Sequence, residues 1–142
     1  MTYLQEARPI AKVIRHKPVT LPLDATVQEA CARMHHERIG AIMVVGADDQ
    51  LVGIFTGRDA VRLLGLGKNP AHASLRDVMT ANPSCMQPEH PAIHALRLMQ
   101  DGGFRHVPIV DCGQVVGLVS HGDFRHHDLA RLDEETGYWE RL

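Results

Sequence analysis

Aromatic residues are nearly missing from this chain of 142 residues: three Phe, two Tyr and one Trp, 4% in all. Since 44% of the residues are hydrophobic, a core is available, but it has to be built from aliphatic side chains. No apolar run approaches the roughly 18 residues that span a bilayer. Met1 to Glu6 lack a basic start followed by an apolar stretch, so no signal peptide is expected and the cytoplasm is the expected location. An excess of one charge is missing too. Fifteen Lys and Arg stand against seventeen Asp and Glu, a net charge of -2, which leaves no broad basic field for nucleic acid or anionic lipid. The cysteines, Cys31, Cys85 and Cys112, are odd in number and form no Cys-x-x-Cys pair. They are expected to be small buried hydrophobes in a reducing compartment. Nor is there a Ser-His-Asp or Cys-His order with a supporting elbow, or a glycine-rich phosphate loop. Asp24, Glu89 and the motif carboxylates described below are too symmetrically placed to be an acid–base pair tuned apart. Catalysis is therefore not expected.

What is present is repetition. Shifted by 65 positions, Ile10–Ile14 falls on Leu75–Met79, Pro18 on Pro83, Asp24 on Glu89, Ala30 on Ala95, Met34 on Met99, and Ile42–Val45 on Val107–Val110. One residue is then lost and the offset becomes 64, placing Leu51–Thr56 on Val115–Ser120 and Asp59 on Asp123. A single gap over the whole length points to duplication. Each copy reads as β-α-β-β-α, so the expected fold class is α/β (α+β) with two tandem repeats. Copy one covers 8–66, a linker 67–72, copy two 73–130 and a tail 131–142. A lone copy of about 55 residues buries too little to be secure, so the two are expected to pack as a pair.

Each copy opens with a short helical turn that ends at a proline, Pro18 or Pro83. A strand follows over Val19–Leu21 or Ser84–Met86. The first long helix, Thr26–Glu37, carries Val27, Ala30, Cys31 and Met34 on one face, with Thr26 as N-cap and Glu29 three residues on. Its counterpart carries Ala92, Ala95, Leu96 and Met99, has Pro91 at its start, and is stopped by Gly102-Gly103. Ala41–Val45 and His106–Val110 are nearly all apolar and read as central strands. Polar turns at Gly46–Gln50 and Asp111–Gln114 lead to return strands Leu51–Phe55 and Val115–Val119. Last helices are expected over Arg58–Leu64 and Asp123–Leu132.

The order apolar-Gly-apolar-apolar-Thr/Ser-x-x-Asp occurs twice, from Val52 through Gly53 and Thr56 to Asp59, and from Val116 through Gly117 and Ser120 to Asp123. Gly103-Phe-Arg-His-Val-Pro-Ile-Val-Asp111 precedes the second. With this doubled motif in register, residues 10 to 130 resemble a CBS-domain pair, or Bateman module, of the stand-alone prokaryotic type. The resemblance implies a pseudo-two-fold pair with adenosine-nucleotide sites in the cleft between its repeats. It implies that Asp59 and Asp123 accept ribose hydroxyls and that Thr56 and Ser120 meet ribose or phosphate. Adenine would lie near Val19-Thr20 and Ser84-Cys85. The chemistry is sound on its own terms. A carboxylate accepts both hydroxyls of a cis-diol, and a helix starting after Thr56 or Ser120 offers free N–H groups to a phosphate.

The copies are unequal. Arg105 and His106 supply a forked cation and a tunable one for phosphate, where copy one has Gly40 and Ala41. Arg58 compensates in part, since copy two has Gly122 there. Pro108 completes the candidate contacts. The expected ligand is AMP, ADP or ATP, with no obligatory cofactor, and the expected assembly is a homodimer that signals to an unidentified protein partner. Plainer readings compete: helix N-terminal carboxylates for the two Asp, N-caps for Thr56 and Ser120, and a surface pair for Arg105 and His106. Ten histidines, His35-His36, His121 and His126-His127-Asp128 among them, read as solvated and not as a metal site. The Tyr138-Trp139 tail is expected to pack on the fold or on a dimer mate. The competing functions are an S-adenosylmethionine binder, a metal- or pH-responsive module, and a dimerisation or docking module whose clefts are filled by Met79, Met86 or Phe104.

Overall fold

The computed structural model describes residues 8–14 and 17–124. The strands are β1 (Thr20–Pro22), β2 (Ala41–Val45), β3 (Leu51–Thr56), β4 (Thr80–Ala81), β5 (His106–Asp111) and β6 (Gln114–Ser120), and the helices are α1 (Val27–Glu37), α2 (Gly57–Gly65), α3 (Leu75–Val78) and α4 (Ala92–Gly102). Single 3-10 turns lie at Ile10–Lys12 and His121–Asp123. The chain forms two compact units. Of the described residues, one takes those up to Lys17, Ser84–Asp111, and those from Val116 to Phe124, and the other takes Pro18–Pro83 and Cys112–Val115.

In the second of these units β1 pairs in parallel with β2, β2 antiparallel with β3, and β3 antiparallel with β4. All five residues of β2 are buried, as its unbroken apolar run requires. Helix α1 starts at Thr26, whose Oγ1 accepts the Glu29 N–H at 3.1 Å, and it ends with Arg38 in the left-handed region. Ala25, Val27, Ala30, Ile42, Val44, Phe55, Leu63, Leu75 and Val78 form its core. β5 and β6 form a hairpin that belongs to the other unit except for Cys112–Val115. Its turn uses Cys112 (φ 52°) and Gly113 (φ 83°), both left-handed. Gly103 (φ 72°) caps α4, as the Gly-Gly pair leads one to expect. The core there is Ile10, Val13, Met86, Ala92, Ala95, Leu96, Met99, Val107, Ile109, Val119 and Phe124.

The repeats in sequence and the units in space are divided differently, because each copy lends its leading segment to the other. Leu75 donates its N–H to Ala25 O at 2.9 Å, and Ile10 donates to His90 O at 2.8 Å. Val27 donates to Ala73 O and Ala92 to Arg8 O, while Arg76 donates to Leu23 O and Ala11 to Pro88 O. Each of these pairs is one bond seen twice at the 65-residue offset. The same offset relates the bridges Thr26–Ser74 and Pro9–Pro91, and the parallel pairings Leu21–Val44 and Met86–Ile109. Ile10 and Leu75, both fully buried, are the corresponding anchors, each contributing about 2–3 kcal/mol by burial.

Several expectations need correction. Ser84–Met86 does not form a strand; Met86 alone bridges to Ile109, donating to Pro108 O and accepting from Val110 N. The short β4 strand escaped the sequence reading because two residues carry no periodicity. Cys85 and Cys112 are exposed and Cys31 only half-buried, because two of the three fall on an extended connector and a turn. Burial raises the Cys31 thiol pKa. Of the helix expected over Asp123–Leu132 only Asp123 and Phe124 lie within the described residues, where the chain makes the 3-10 turn His121–Asp123. His126-His127-Asp128 and the Tyr138-Trp139 tail lie outside the described residues.

Candidate functional site

In both copies the return strand delivers a hydroxyl residue and then a carboxylate three positions on. At the end of β3 the Thr56 N–H donates to Asp59 Oδ2 at 2.9 Å and the Thr56 hydroxyl reaches the same oxygen at 3.3 Å, closing a capping box over the start of α2. Asp59 is 6% exposed. Its other oxygen, Oδ1, accepts from Arg62 Nη2 at 3.3 Å, and the same nitrogen donates to Val78 O at 3.0 Å. At the end of β6 the Ser120 N–H donates to Asp123 Oδ2 at 2.8 Å in the same box. Asp123 is half-buried.

Arg105 immediately precedes β5 and His106 opens it, at the end of the hairpin where β6 finishes. The His121 N–H donates to Arg105 O at 2.9 Å and ties that end shut. His106 is half-buried. Its pKa lies below the usual histidine value, chiefly because burial disfavours the imidazolium; the Asp123 carboxylate raises it and Arg105 lowers it further. The motif carboxylate that acts on His106 is therefore Asp123, a pairing that sequence alone left open. In copy one Ala41 pairs with Thr56 across β2 and β3 and offers no charge.

The twelve candidate residues fall into two sets. Ser84, Cys85, Arg105, His106, Pro108, Ser120 and Asp123 belong to one unit, and Val19, Thr20, Thr56, Arg58 and Asp59 to the other. Ser84 and Cys85 are exposed and Pro108 is buried. Val19 O accepts from Met43 N at 3.0 Å and Thr20 pairs with Met43. Arg58 is exposed at the first turn of α2. The bulky residues are used in packing: Met86 is a core residue, while Met79 and Phe104 pack against the two cores. Gly53 and Gly117 admit side chains, not a ligand. A Cβ on Gly53 would meet Met79 Sδ at 2.3 Å, and one on Gly117 would meet Ile14 Cδ1 at 2.5 Å. Arg62 and His121 were missed. Arg62 had a legible signal, a cation three residues after a carboxylate on a helix; the His121 contact is through backbone and had none. Among the described residues no three His, Cys, Asp or Glu side chains gather to hold a metal ion.

Two α/β repeats with exchanged leading segments, each ending in a capped carboxylate, define the class. The CBS domain family model matches residues 10–66 and 75–130, and the chain belongs to that family as a tandem pair. It is 32% identical over 127 residues to the CBS domain-containing protein CBSCBSPB1 of Arabidopsis thaliana, covering 89% of this chain and 23% of that protein. The chain thus spans about a quarter of the length of that relative. A CBS domain protein from Pyrobaculum aerophilum, complexed with AMP, superposes with a TM-score of 0.81 at 23% identity, covering 89% of this chain and 98% of the other. The CBS domain pair of protein MJ0100, in complex with 5-methylthioadenosine and S-adenosyl-L-methionine, gives 0.74 at 25% identity, covering 87% and 98%. Among the described residues no helix is long and apolar enough to cross a membrane.

Proposed function

We propose that this chain is a regulatory module, and not an enzyme, that binds an adenine nucleotide and signals to a partner protein. The observation that carries the reading is the gathering of Arg105, His106, Ser120 and Asp123 at one end of the β5–β6 hairpin. Among the described residues no bond takes the second carboxylate oxygen of Asp123, which is left for a ribose diol, and Arg105 with His106 takes the phosphate. Similarity to the MJ0100 pair, which holds two adenosine derivatives, supports an adenosine ligand. A phosphate-bearing one is favoured over a sulfonium because the guanidinium of Arg105 attracts the first and repels the second. Binding shifts the shape of the molecule only as far as the ligand prefers one shape over the other.

Homodimerisation is part of the same proposal. Val61 and Leu64 on α2, 70% and 60% exposed, with Leu66 just beyond it, form the apolar surface available for it. Isothermal titration with AMP, ADP, ATP and S-adenosylmethionine tests the ligand reading. Binding of an adenine nucleotide in the micromolar range, about -8 kcal/mol, weakened by Arg105→Ala, is the expected result. Absence of heat and of thermal stabilisation with all four ligands would leave the docking-module reading in its place.

A further inference from the structure

The two motif carboxylates are capped alike but are not equally free. Asp123 and Asp59 each give one oxygen to a backbone N–H, at 2.8 and 2.9 Å. In Asp59 the remaining oxygen is taken by Arg62, while the Thr56 hydroxyl adds a second bond to the capped one. The same guanidinium nitrogen, Nη2, is also anchored on Val78 O at the end of α3, at 3.0 Å. We infer that Arg62 keeps the Asp59 motif closed to a ribose diol, so that the Asp123 motif alone takes the nucleotide. This rests on the nucleotide reading above and adds which motif serves it.

A diol entering at Asp59 has to displace a charge-assisted bond that a second anchor keeps in place. It would also have to reach a carboxylate only 6% exposed. The second copy has no arginine at the aligned position, which is His126. Conversely, the phosphate pair present beside Asp123 is replaced by Gly40 and Ala41 in the first copy. Two independent differences therefore point the same way.

Amide NMR on the whole chain reads both motifs at once, because the Thr56 and Ser120 N–H groups each donate to their own carboxylate. On titration with AMP, the Ser120 amide is expected to shift saturably and the Thr56 amide to stay. In Arg62→Ala, or in Arg62→Gln if the first variant folds poorly, adenosine is expected to shift Thr56 as well. A saturable Thr56 shift in the unaltered chain overturns the inference. So does an unresponsive Thr56 in the Arg62 variants while Ser120 still reports binding. If neither amide moves with either probe in any variant, the nucleotide reading itself fails and takes this inference with it.

Discussion

Gly53→Ala tests the exchange of leading segments at one atom. A Cβ there would lie 2.3 Å from Met79 Sδ, 2.9 Å from Met79 Cγ and 3.0 Å from Thr80 O. Met79 is the close obstacle and has to give way, while the Thr80 carbonyl, held by the pairing of β4 to β3 through Gly53–Ala81 and Ile54–Thr80, stays in tight contact. Overpacking of this kind costs about 1–3 kcal/mol, which for a chain of this size lowers Tm by about 3–10 °C. Met79→Ala removes the side chain that the added methyl group would strike. The double variant should therefore be more stable than the sum of the two single changes by about 0.5 kcal/mol or more. Urea and thermal denaturation of the four proteins supply the cycle. A second cycle at Gly117 and Ile14 should couple more strongly, since a Cβ there meets three atoms of a stiff β-branched side chain at 2.5–3.1 Å. Strict additivity in both cycles would refute the packing of each leading segment against the other copy's return strand.

Leu75→Ala and Ile10→Ala each empty a fully buried anchor, and each should cost about 2–5 kcal/mol in chemical denaturation. Gly103→Ala forces a side chain into φ 72° with nothing within 4 Å of its Cβ, so a loss of about 1–2 kcal/mol should be pure backbone strain. By contrast Gly65→Ala, equally unobstructed and not left-handed, should leave the melting temperature unchanged or raise it slightly. Because the folded-state pKa of His106 is depressed, the unfolded chain takes up its proton first. Its contribution to stability is whole above about pH 6.5 and drains away as pH falls from there toward the folded value. Melting curves across that range should show a steeper acid loss in the natural chain than in His106→Gln, and equal slopes would contradict the burial of His106.

The duplication and most of the elements were legible because β2 is an unbroken apolar run, fully buried between β1 and β3, and α1 carries a plain 3.6-residue stripe with Thr26 at its start; β5, expected to be equally central, is buried only over Val107–Ile109 and lies in a two-stranded sheet. Gly103 announced its left-handed cap. The exchange of leading segments was not legible: Ile10 and Leu75 look alike in sequence, and nothing local says which copy each will enter. In the site, the doubled Thr/Ser-x-x-Asp spacing reads first as a ligand motif, with N-caps and helix N-terminal carboxylates as the plainer alternative that the two capping boxes resemble, and the repeat offset exposes the inequality of Arg105-His106 against Gly40-Ala41. The spacing did not foretell the burial of Asp59 or the bond from Arg62 to Val78 O, because Val78 arrives from the other copy. Nor did apolar composition protect the cysteines from exposure, since Cys112 is placed by its turn and Cys85 by an unpaired connector.

The central claim is that Asp123 holds the ribose of an adenine nucleotide. Asparagine at that position still accepts the Ser120 N–H and keeps the turn, but loses the charge and one acceptor for the diol. Titration calorimetry of AMP against the natural chain and Asp123→Asn, with matched melting curves, isolates that loss. At least tenfold weaker binding, about 1.4 kcal/mol, is the result expected; unchanged affinity in a well-folded Asp123→Asn protein would contradict the account.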